Sequence, residues 1–155
     1  NTINEDKGYT FKFENFKFIK NSLNALKYLS KKNYYIFIVT NQAGIAKSKF
    51  TENDFLTLHR QLKKFLLSNN IFIHDIKYCP FHPRGIIVKY KKNSKYRKPG
   101  NLMIKEIFKN WVINKKKSFM IGDSISDKIC SKSSLLKFQF VKKDLKKQLQ
   151  TLILN

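Results

Sequence analysis

The stretch that decides the fold is Tyr34-Tyr35-Ile36-Phe37-Ile38-Val39, which continues into Thr40-Asn41-Gln42-Ala43-Gly44-Ile45. Its first half is β-branched or aromatic throughout, a pattern typical of a strand that is buried on both faces of a parallel sheet. Its second half turns polar and contains a glycine. Because ligands bind outside the carboxyl ends of parallel strands, this second half is a candidate functional loop.

Helical and extended patterns alternate on both sides of this strand. Apolar residues at helical spacing predict helices within residues 21–31, 51–66, 100–111 and 145–152, and extended apolar runs predict strands at 71–78, 118–121 and 136–141. Strands that alternate with helices of about a dozen residues are typical of βαβ units. The sequence therefore predicts an α/β fold with a parallel sheet covered by helices on both faces.

The charge of the chain is strongly positive but widely spread. The 155 residues include 32 Lys plus Arg against 10 Asp plus Glu, which gives a formal net charge of +22. Only Arg60, Arg84 and Arg97 are arginines, whereas proteins that read nucleic-acid sequence favour Arg for bidentate contacts. The spread of lysines favours a compositional bias, so a nucleic-acid partner is possible but not favoured.

Composition excludes several other classes of protein. A hydrophobic fraction of 42% is too high for a disordered basic tail. The longest apolar run is far shorter than the ~18 residues that span a bilayer, and residues 1–7 lack the pattern of a secretory signal. Cys79 and Cys130 cannot form a disulfide framework. We therefore expect a cytoplasmic protein without a membrane partner.

Polar groups with complementary chemistry follow the elements that end at one edge of the predicted sheet. They are Thr40 after the first strand, Lys98 at the end of a long basic loop, and the pair Asp123 and Asp127 after the strand at 118–121. A hydroxyl and a cation can hold phosphoryl oxygens while carboxylates hold Mg²⁺, so this set suits a phosphate ester. Taken singly, each residue has a simpler explanation, such as capping of the next helix by Asp123.

In their order and spacing these residues resemble the haloacid dehalogenase (HAD) superfamily of phosphatases, and within it the branch of heptose-1,7-bisphosphate and histidinol-phosphate phosphatases. The resemblance covers residues 1–141 and is carried by five stretches, Asn4–Tyr9, Thr40–Ile45, Cys79–Pro83, Arg97–Gly100 and Gly122–Asp127. It implies a Rossmann-like three-layer αβα fold with a small cap loop, as a single domain over residues 1–155. It also implies Mg²⁺-dependent hydrolysis of a small phosphorylated sugar, with a monomer as the expected state.

The resemblance assigns roles to individual residues. Thr40 and Lys98 would be the catalytic residues that hold the phosphoryl oxygens. Asp123 would bind Mg²⁺, with Asp127 as a second ligand or as support for the first. Substrate binding would fall to a larger set, namely Asp6, Gly8, Tyr9, Asn41, Gln42 and Arg97.

One departure from the family concerns its first motif, Asp-x-Asp-x-Thr or Val at the end of a buried strand. In the family, the first Asp forms an aspartyl-phosphate and the second protonates the leaving group. Asn1-Thr2 resemble the last two positions of this motif, so both aspartates are expected upstream of Asn1. Asn1 and Thr2 would then lie beside Thr40, Lys98 and Asp123.

A second departure concerns a structural zinc that the family often holds in the long loop. Cys79 is retained, but Phe81, Ser94 and Tyr96 stand at the other ligand positions. A single thiolate falls short of the four ligands that structural zinc needs, so zinc is not expected. Residues 84–98 are then expected to be mobile, or to be held by packing of Ile86, Ile87 and Val88.

Two further functions stay open. Polynucleotide 3′-phosphatases also carry a Thr-Asn-Gln-x-Gly-Ile stretch, and a basic surface would suit DNA or RNA ends. Against this, residues 4–9 and 79–83 resemble the sugar-phosphate branch. The third hypothesis is a non-catalytic basic binding module that keeps the same fold.

Overall fold

The structure is a computed structural model that describes residues 1–5 and 8–154, so Asp6 lies outside the described residues. The helices are α1 (Ser22–Lys31), α2 (Ala43–Ala46), α3 (Glu52–Ser68), α4 (Leu102–Asn110), α5 (Ile125–Ser133) and α6 (Leu145–Leu154). The strands are β1 (Phe37–Asn41), β2 (Asp75–Cys79), β3 (Phe119–Gly122) and β4 (Lys137–Phe140). Within the described chain, no helix has the length and apolar character needed to cross a lipid bilayer.

The strands form two parallel pairs. β1 lies beside β2, and the N–H of His74 donates to the Ile36 carbonyl at one end while the N–H of Gln42 donates to the Cys79 carbonyl at the other, both at 2.8 Å. Lower-numbered residues thus meet at one end and higher-numbered residues at the other, which makes the pair parallel. β3 pairs with β4 in parallel, with Phe119 opposite Lys137. The α/β fold with parallel strands is confirmed.

Both β1 and β2 begin later than the apolar pattern predicts, because the preceding helix uses the first residues of each run. Asn33 has a φ of 57°, and the N–H of Tyr34 bonds to the Leu29 carbonyl at 3.1 Å. This is the Schellman ending, in which an Asn or Gly adopts the left-handed conformation. The end of α3 repeats it with Asn70, Ile71 and Leu66.

Contacts divide the chain into two compact units. The first comprises Asn1–Ile38, Asn53–Asp75 and Val141–Asn155. In it α1 packs against α6, and an aromatic cluster forms around Phe65, whose ring centroid lies 5.6 Å from those of both Phe13 and Phe18. The single domain predicted over residues 1–155 stays a prediction.

The second unit comprises Val39–Glu52 and Ile76–Phe140. Its core is the buried group Ile104, Met120 and Cys130, against which Val39, Phe108, Leu136 and Phe138 pack. These residues come from β1, from α4, from β3, from α5, and from β4 together with Leu136, the residue before it. The unit therefore fixes the carboxyl ends of β1 and β3, where the predicted site residues stand.

Candidate active site

Lys98 is at the centre of the site. Its ammonium nitrogen Nζ lies 2.6 Å from Oδ1 of Asp127 and donates to the Val39 carbonyl at 2.9 Å. The Lys98 side chain is only 12% exposed and that of Asp127 only 5%. Because a buried charge is costly unless it is paired, the carboxylate is what allows a lysine to be held below the surface at the end of β1.

The second oxygen of Asp127 binds the turn between β3 and α5. Oδ2 accepts hydrogen bonds from the Ser124 hydroxyl at 2.7 Å, the Ser124 N–H at 3.1 Å and the Asp123 N–H at 3.2 Å. In return the Ser124 hydroxyl accepts from the Asp127 N–H at 3.2 Å, which completes a capping box at the start of α5. Burial by itself would raise the pKa of Asp127, but Lys98 and Ser124 outweigh burial and the pKa is lowered.

This bonding bears on the predicted metal ligands. Both Asp127 oxygens already face donors, so the structure favours Asp127 as support for Lys98 and for the turn rather than as a direct ligand. Asp123 is exposed at the end of β3. Mg²⁺ in phosphate sites is commonly held by one or two carboxylates together with substrate oxygens and water, and Asp123 fits that requirement. The described residues contain no cluster of three or more His, Cys, Asp or Glu that could hold a metal by themselves.

Gly122 is required by the close approach of Asp127. A Cβ at position 122 would lie 2.5 Å from Asp127 Cβ and 2.6 Å from both Cγ and Oδ2. Real Cβ atoms essentially never come so close to other heavy atoms. The glycine of the Gly-Asp-Ser stretch is therefore present because any side chain would displace the Asp127 carboxylate.

Asn41 and Gln42 use their side chains within the protein. Oδ1 of Asn41 accepts from the Lys98 N–H at 2.9 Å, and Nδ2 donates to the Lys98 carbonyl at 3.0 Å. Nε2 of Gln42 donates to Oγ1 of Thr40 at 3.0 Å. In the structure each amide contacts one of the two predicted catalytic residues, Lys98 or Thr40. The substrate-binding roles of Asn41 and Gln42 stay predictions.

The structure therefore brings three of the predicted motifs together. The Lys98 ammonium contacts the carbonyl of Val39, which directly precedes Thr40, and it contacts Asp127. Asp127 in turn accepts from the backbone of Asp123. Ser124 is not among the predicted site residues, although its Ser-x-x-Asp spacing is the sequence signal of a capping box.

Of the predicted site residues near the start of the sequence, those that the structure describes do not belong to the second compact unit. Gly8 and Tyr9, with φ values of 92° and 58°, belong to the first compact unit, as do Asn1 and Thr2. Their roles, and that of Asp6, which lies outside the described residues, stay predictions.

Arg97 directly precedes Lys98 and carries an unusual donor. Its Nη1 is buried and makes no hydrogen bond to any described residue. Its positive charge acts on Cys79 and on His82, so it lies near the end of β2 and the start of the loop. A buried guanidinium donor of this kind is a candidate for binding an anion.

The Cys79 and His82 side chains serve the local structure of the loop. The Cys79 thiol is buried, which raises its pKa, and it donates to the Phe81 carbonyl at 3.8 Å. Nδ1 of His82 accepts from the Arg84 N–H at 3.1 Å. The expectation that the loop holds no zinc stays a prediction.

Comparison with known protein families and sequences gives consistent matches. A family described as "Polynucleotide kinase 3 phosphatase" matches residues 2–152. A D-glycero-beta-D-manno-heptose-1,7-bisphosphate 7-phosphatase from Rhodopseudomonas palustris is 35% identical over 132 residues, which cover 85% of this chain and 73% of that protein. The enzyme of the same name from Haemophilus influenzae is 37% identical, over 81% of this chain and 68% of that protein.

Solved structures show the same likeness in three dimensions. A HAD-like phosphatase from Mesorhizobium loti superposes with a TM-score of 0.86 at 20% identity, covering 99% of this chain and 82% of that one. D,D-heptose 1,7-bisphosphate phosphatase from B. bronchiseptica, complexed with magnesium and phosphate, superposes with a TM-score of 0.77 at 19% identity, covering 96% and 81%. At these identities the likeness establishes the fold alone.

Proposed function

Given that this chain belongs to the polynucleotide kinase 3 phosphatase family and has a HAD-like fold, we propose that it hydrolyses a small phosphorylated sugar, such as heptose 1,7-bisphosphate, with the help of Mg²⁺. The family resemblance and the predicted enzyme class, a phosphoric monoester hydrolase, are confirmed. The sugar substrate is supported by the names of relatives at 35% and 37% identity. The observation that carries the proposal is the buried Lys98 ammonium, which donates to the Val39 carbonyl directly before Thr40.

Thr40 and Lys98 have the chemistry to hold a transferring phosphoryl group. Oγ1 of Thr40 accepts a hydrogen bond from Gln42. Since a hydroxyl has one hydrogen to donate, that hydrogen is left for a phosphoryl oxygen. The Lys98 ammonium, fixed by Asp127, would neutralise the negative charge that develops on the phosphoryl oxygens.

Asp123 would hold Mg²⁺, and Asp127 would keep Lys98 in place. When bound, the ion would supply Lewis-acid stabilisation of phosphoryl charge. Support comes from the carboxylate at the end of β3 and from the B. bronchiseptica phosphatase, whose structure contains magnesium and phosphate. Arg97, with its buried Nη1 donor, would bind the second phosphate or a hydroxyl of the sugar.

The proposed reaction proceeds in two displacements. The family resemblance assigns the attack to the first carboxylate of an Asp-x-Asp motif. Its oxygen forms a bond to phosphorus while the bond to the sugar oxygen breaks, and the second Asp gives that oxygen its proton. The second Asp, now deprotonated, takes a proton from water as the water oxygen bonds to phosphorus. The bond between phosphorus and the first Asp breaks, which restores that carboxylate and releases inorganic phosphate. We place this reaction in a cytoplasmic monomer.

A second candidate is removal of a 3′-phosphate from a polynucleotide end. The description of the matching family and the net charge of +22 favour it. The relatives named above, however, are sugar-bisphosphate phosphatases. We therefore rank the sugar substrate first.

The deciding experiment compares phosphate release by the full-length protein from heptose 1,7-bisphosphate and from a 3′-phosphorylated oligonucleotide, with and without Mg²⁺. We expect kcat/KM for the sugar to exceed that for the oligonucleotide by about two orders of magnitude, since binding groups matched to one substrate discriminate through the transition state. Lys98→Met should abolish release, whereas Lys105→Met, at an exposed position on α4, should not. Preference for the oligonucleotide would favour the second candidate, and no release from either substrate would contradict both candidates.

A further inference from the structure

The long loop between β2 and Lys98, residues 80–98 (the basic loop), is held in a way that the sequence did not predict. It contains seven cations, Arg84, Lys89, Lys91, Lys92, Lys95, Arg97 and Lys98, and no Asp or Glu. Ile86, Ile87 and Val88 are 72%, 36% and 88% exposed. The expectation that Ile86, Ile87 and Val88 hold the loop by packing is therefore wrong. Polar contacts with neighbouring elements hold it instead.

The first contact is made by Glu52, the first residue of α3. Its Oε1 accepts from the Tyr78 hydroxyl at 2.8 Å, and its Oε2 accepts from the Tyr90 hydroxyl at 2.6 Å. Tyr78 lies on β2 and Tyr90 lies in the basic loop. One carboxylate thus joins a helix, a strand and the loop. The hydrogen bond from Tyr90 is the main reason that the pKa of Glu52 is lowered.

The second contact repeats this arrangement with Glu106 on α4. Its Oε1 lies 3.2 Å from the Lys77 ammonium, and its Oε2 accepts from the Tyr96 hydroxyl at 3.2 Å. Lys77 lies on β2 and Tyr96 lies in the basic loop, two residues before Lys98. Again one carboxylate joins a helix, β2 and the loop.

The two contacts lie on opposite faces of the same strand. Lys77 and Tyr78 are consecutive residues of β2, and consecutive side chains of a strand point to opposite faces of the sheet. Glu106 therefore approaches one face and Glu52 the other, and the basic loop crosses the carboxyl end of β2 between them. The N–H groups of Ile86 and Ile87 also donate to the Ala46 carbonyl, at 2.7 and 3.0 Å.

We propose that Glu52 and Glu106 are positioning residues that fix the basic loop, and with it Arg97 and Lys98, for the reaction. The proposal rests on the proposed function, because it takes Arg97 and Lys98 to bind the substrate's phosphates. Both carboxylates act through tyrosine hydroxyls and neither needs to touch substrate. Their loss should weaken substrate binding more than it slows the chemical step, since Lys98 is also held by Asn41 and Asp127.

The test removes one hydroxyl at a time from the loop. Tyr90→Phe and Tyr96→Phe each delete one hydrogen bond and keep the ring. The Glu52 and Glu106 side chains are 30% and 34% exposed, so water can replace the lost donor and the protein should still fold. Tyr35→Phe is the matched control, because this tyrosine is 54% exposed and lies in the other compact unit.

Two measurements on the full-length protein separate the outcomes. Amide hydrogen exchange at Ile86, at Ile87 and at position 96 should rise about fivefold in each loop variant, which corresponds to one lost hydrogen bond. KM for the sugar bisphosphate should rise by a similar factor while kcat changes less than about twofold. Tyr35→Phe should change neither quantity.

The positioning role and the proposed function can fail separately. Unchanged exchange and unchanged KM in both loop variants would overturn the positioning role while leaving the activity intact. A fall in kcat with KM unchanged would also overturn it, because the tyrosines would then act on the chemical step. Faster exchange in a full-length protein that releases no phosphate from the sugar would uphold the anchoring of the loop and overturn the proposed function.

Discussion

Asn41 and Lys98 are 57 residues apart in sequence, yet the Asn41 amide is hydrogen-bonded to both backbone polar groups of Lys98. A single side chain thereby binds the backbone of another residue much as a neighbouring strand would. The direction in which Lys98 leaves the loop is set at the end of β1, next to Thr40. The two predicted catalytic residues are thus fixed by the same short stretch of chain.

Asn41→Ala should lower kcat strongly and reduce stability modestly. Two hydrogen bonds are lost, each contributing about 1 kcal/mol, and a displacement of the ammonium by about 1 Å can cost on the order of 100-fold in rate. Activity assays and urea denaturation measure the two effects. Asn101→Ala is the control, because Asn101 also donates its amide to a backbone carbonyl, that of Ser133 at 2.7 Å. An equal loss of kcat in the control would contradict the role of Asn41.

Lys98→Met and Asp127→Asn should each destabilise the protein by about 3 kcal/mol, because each leaves one member of a buried pair without its partner. The double variant should cost less than the sum of the two, and urea denaturation of all three gives the coupling. The exposed pair Lys12 and Glu14, 3.9 Å apart, is the control and should show little coupling. Additive losses at Lys98 and Asp127 would mean that the pair is not coupled.

His59 on α3 should make stability depend on pH. It packs against Phe55 with ring centroids 4.1 Å apart, its Nδ1 is buried without a hydrogen bond to any described residue, and burial lowers its pKa to about 4. Between its ordinary pKa of about 6.5 and pH 4 the unfolded chain binds the proton more tightly, so stability falls as the pH falls, by at most ~3 kcal/mol. Thermal unfolding of His59→Leu should lose this slope below pH 6.5. His82→Gln, at a position near the surface, should keep it.

Asp123→Asn should raise the Mg²⁺ concentration needed for half-maximal activity about tenfold or more, since one carboxylate ligand is lost. Asp127→Asn should instead reduce activity at every Mg²⁺ concentration, because it disturbs Lys98. Titration of activity with Mg²⁺ separates the two patterns. An unaltered Mg²⁺ requirement in Asp123→Asn would remove Asp123 from the metal site.

Much of the architecture could be predicted because its signals are local. The apolar run ending at Val39 and the Gly-Asp-Ser stretch at 122–124 each place a polar motif at the end of a strand, and parallel strands bring such ends to one edge. The start of β1 could not be placed as well, because the Schellman ending of α1 depends on Asn33 adopting the left-handed conformation. The residue type alone does not reveal that Asn33 adopts the left-handed conformation.

The direction of side chains was the harder part to predict. Asn41 and Gln42 are polar residues at the carboxyl end of β1. Their spacing does not show whether their side chains contact substrate, Lys98 or Thr40. Glu52 and Glu106 were not singled out, because their tyrosine partners are 10 to 38 residues away. Such contacts become visible only when the loop has been placed against the sheet.

One oxygen of Asp127 pairs with the Lys98 ammonium, and the other accepts hydrogen bonds at the start of α5. A substitution of Asp127 is expected to affect activity and stability together, because the same carboxylate pairs with Lys98 and caps α5. Selection for folding stability alone would therefore keep this residue, even in a protein no longer selected for activity. An intact Asp127 in a related sequence is therefore weak evidence of catalysis, because the start of α5 needs the same carboxylate.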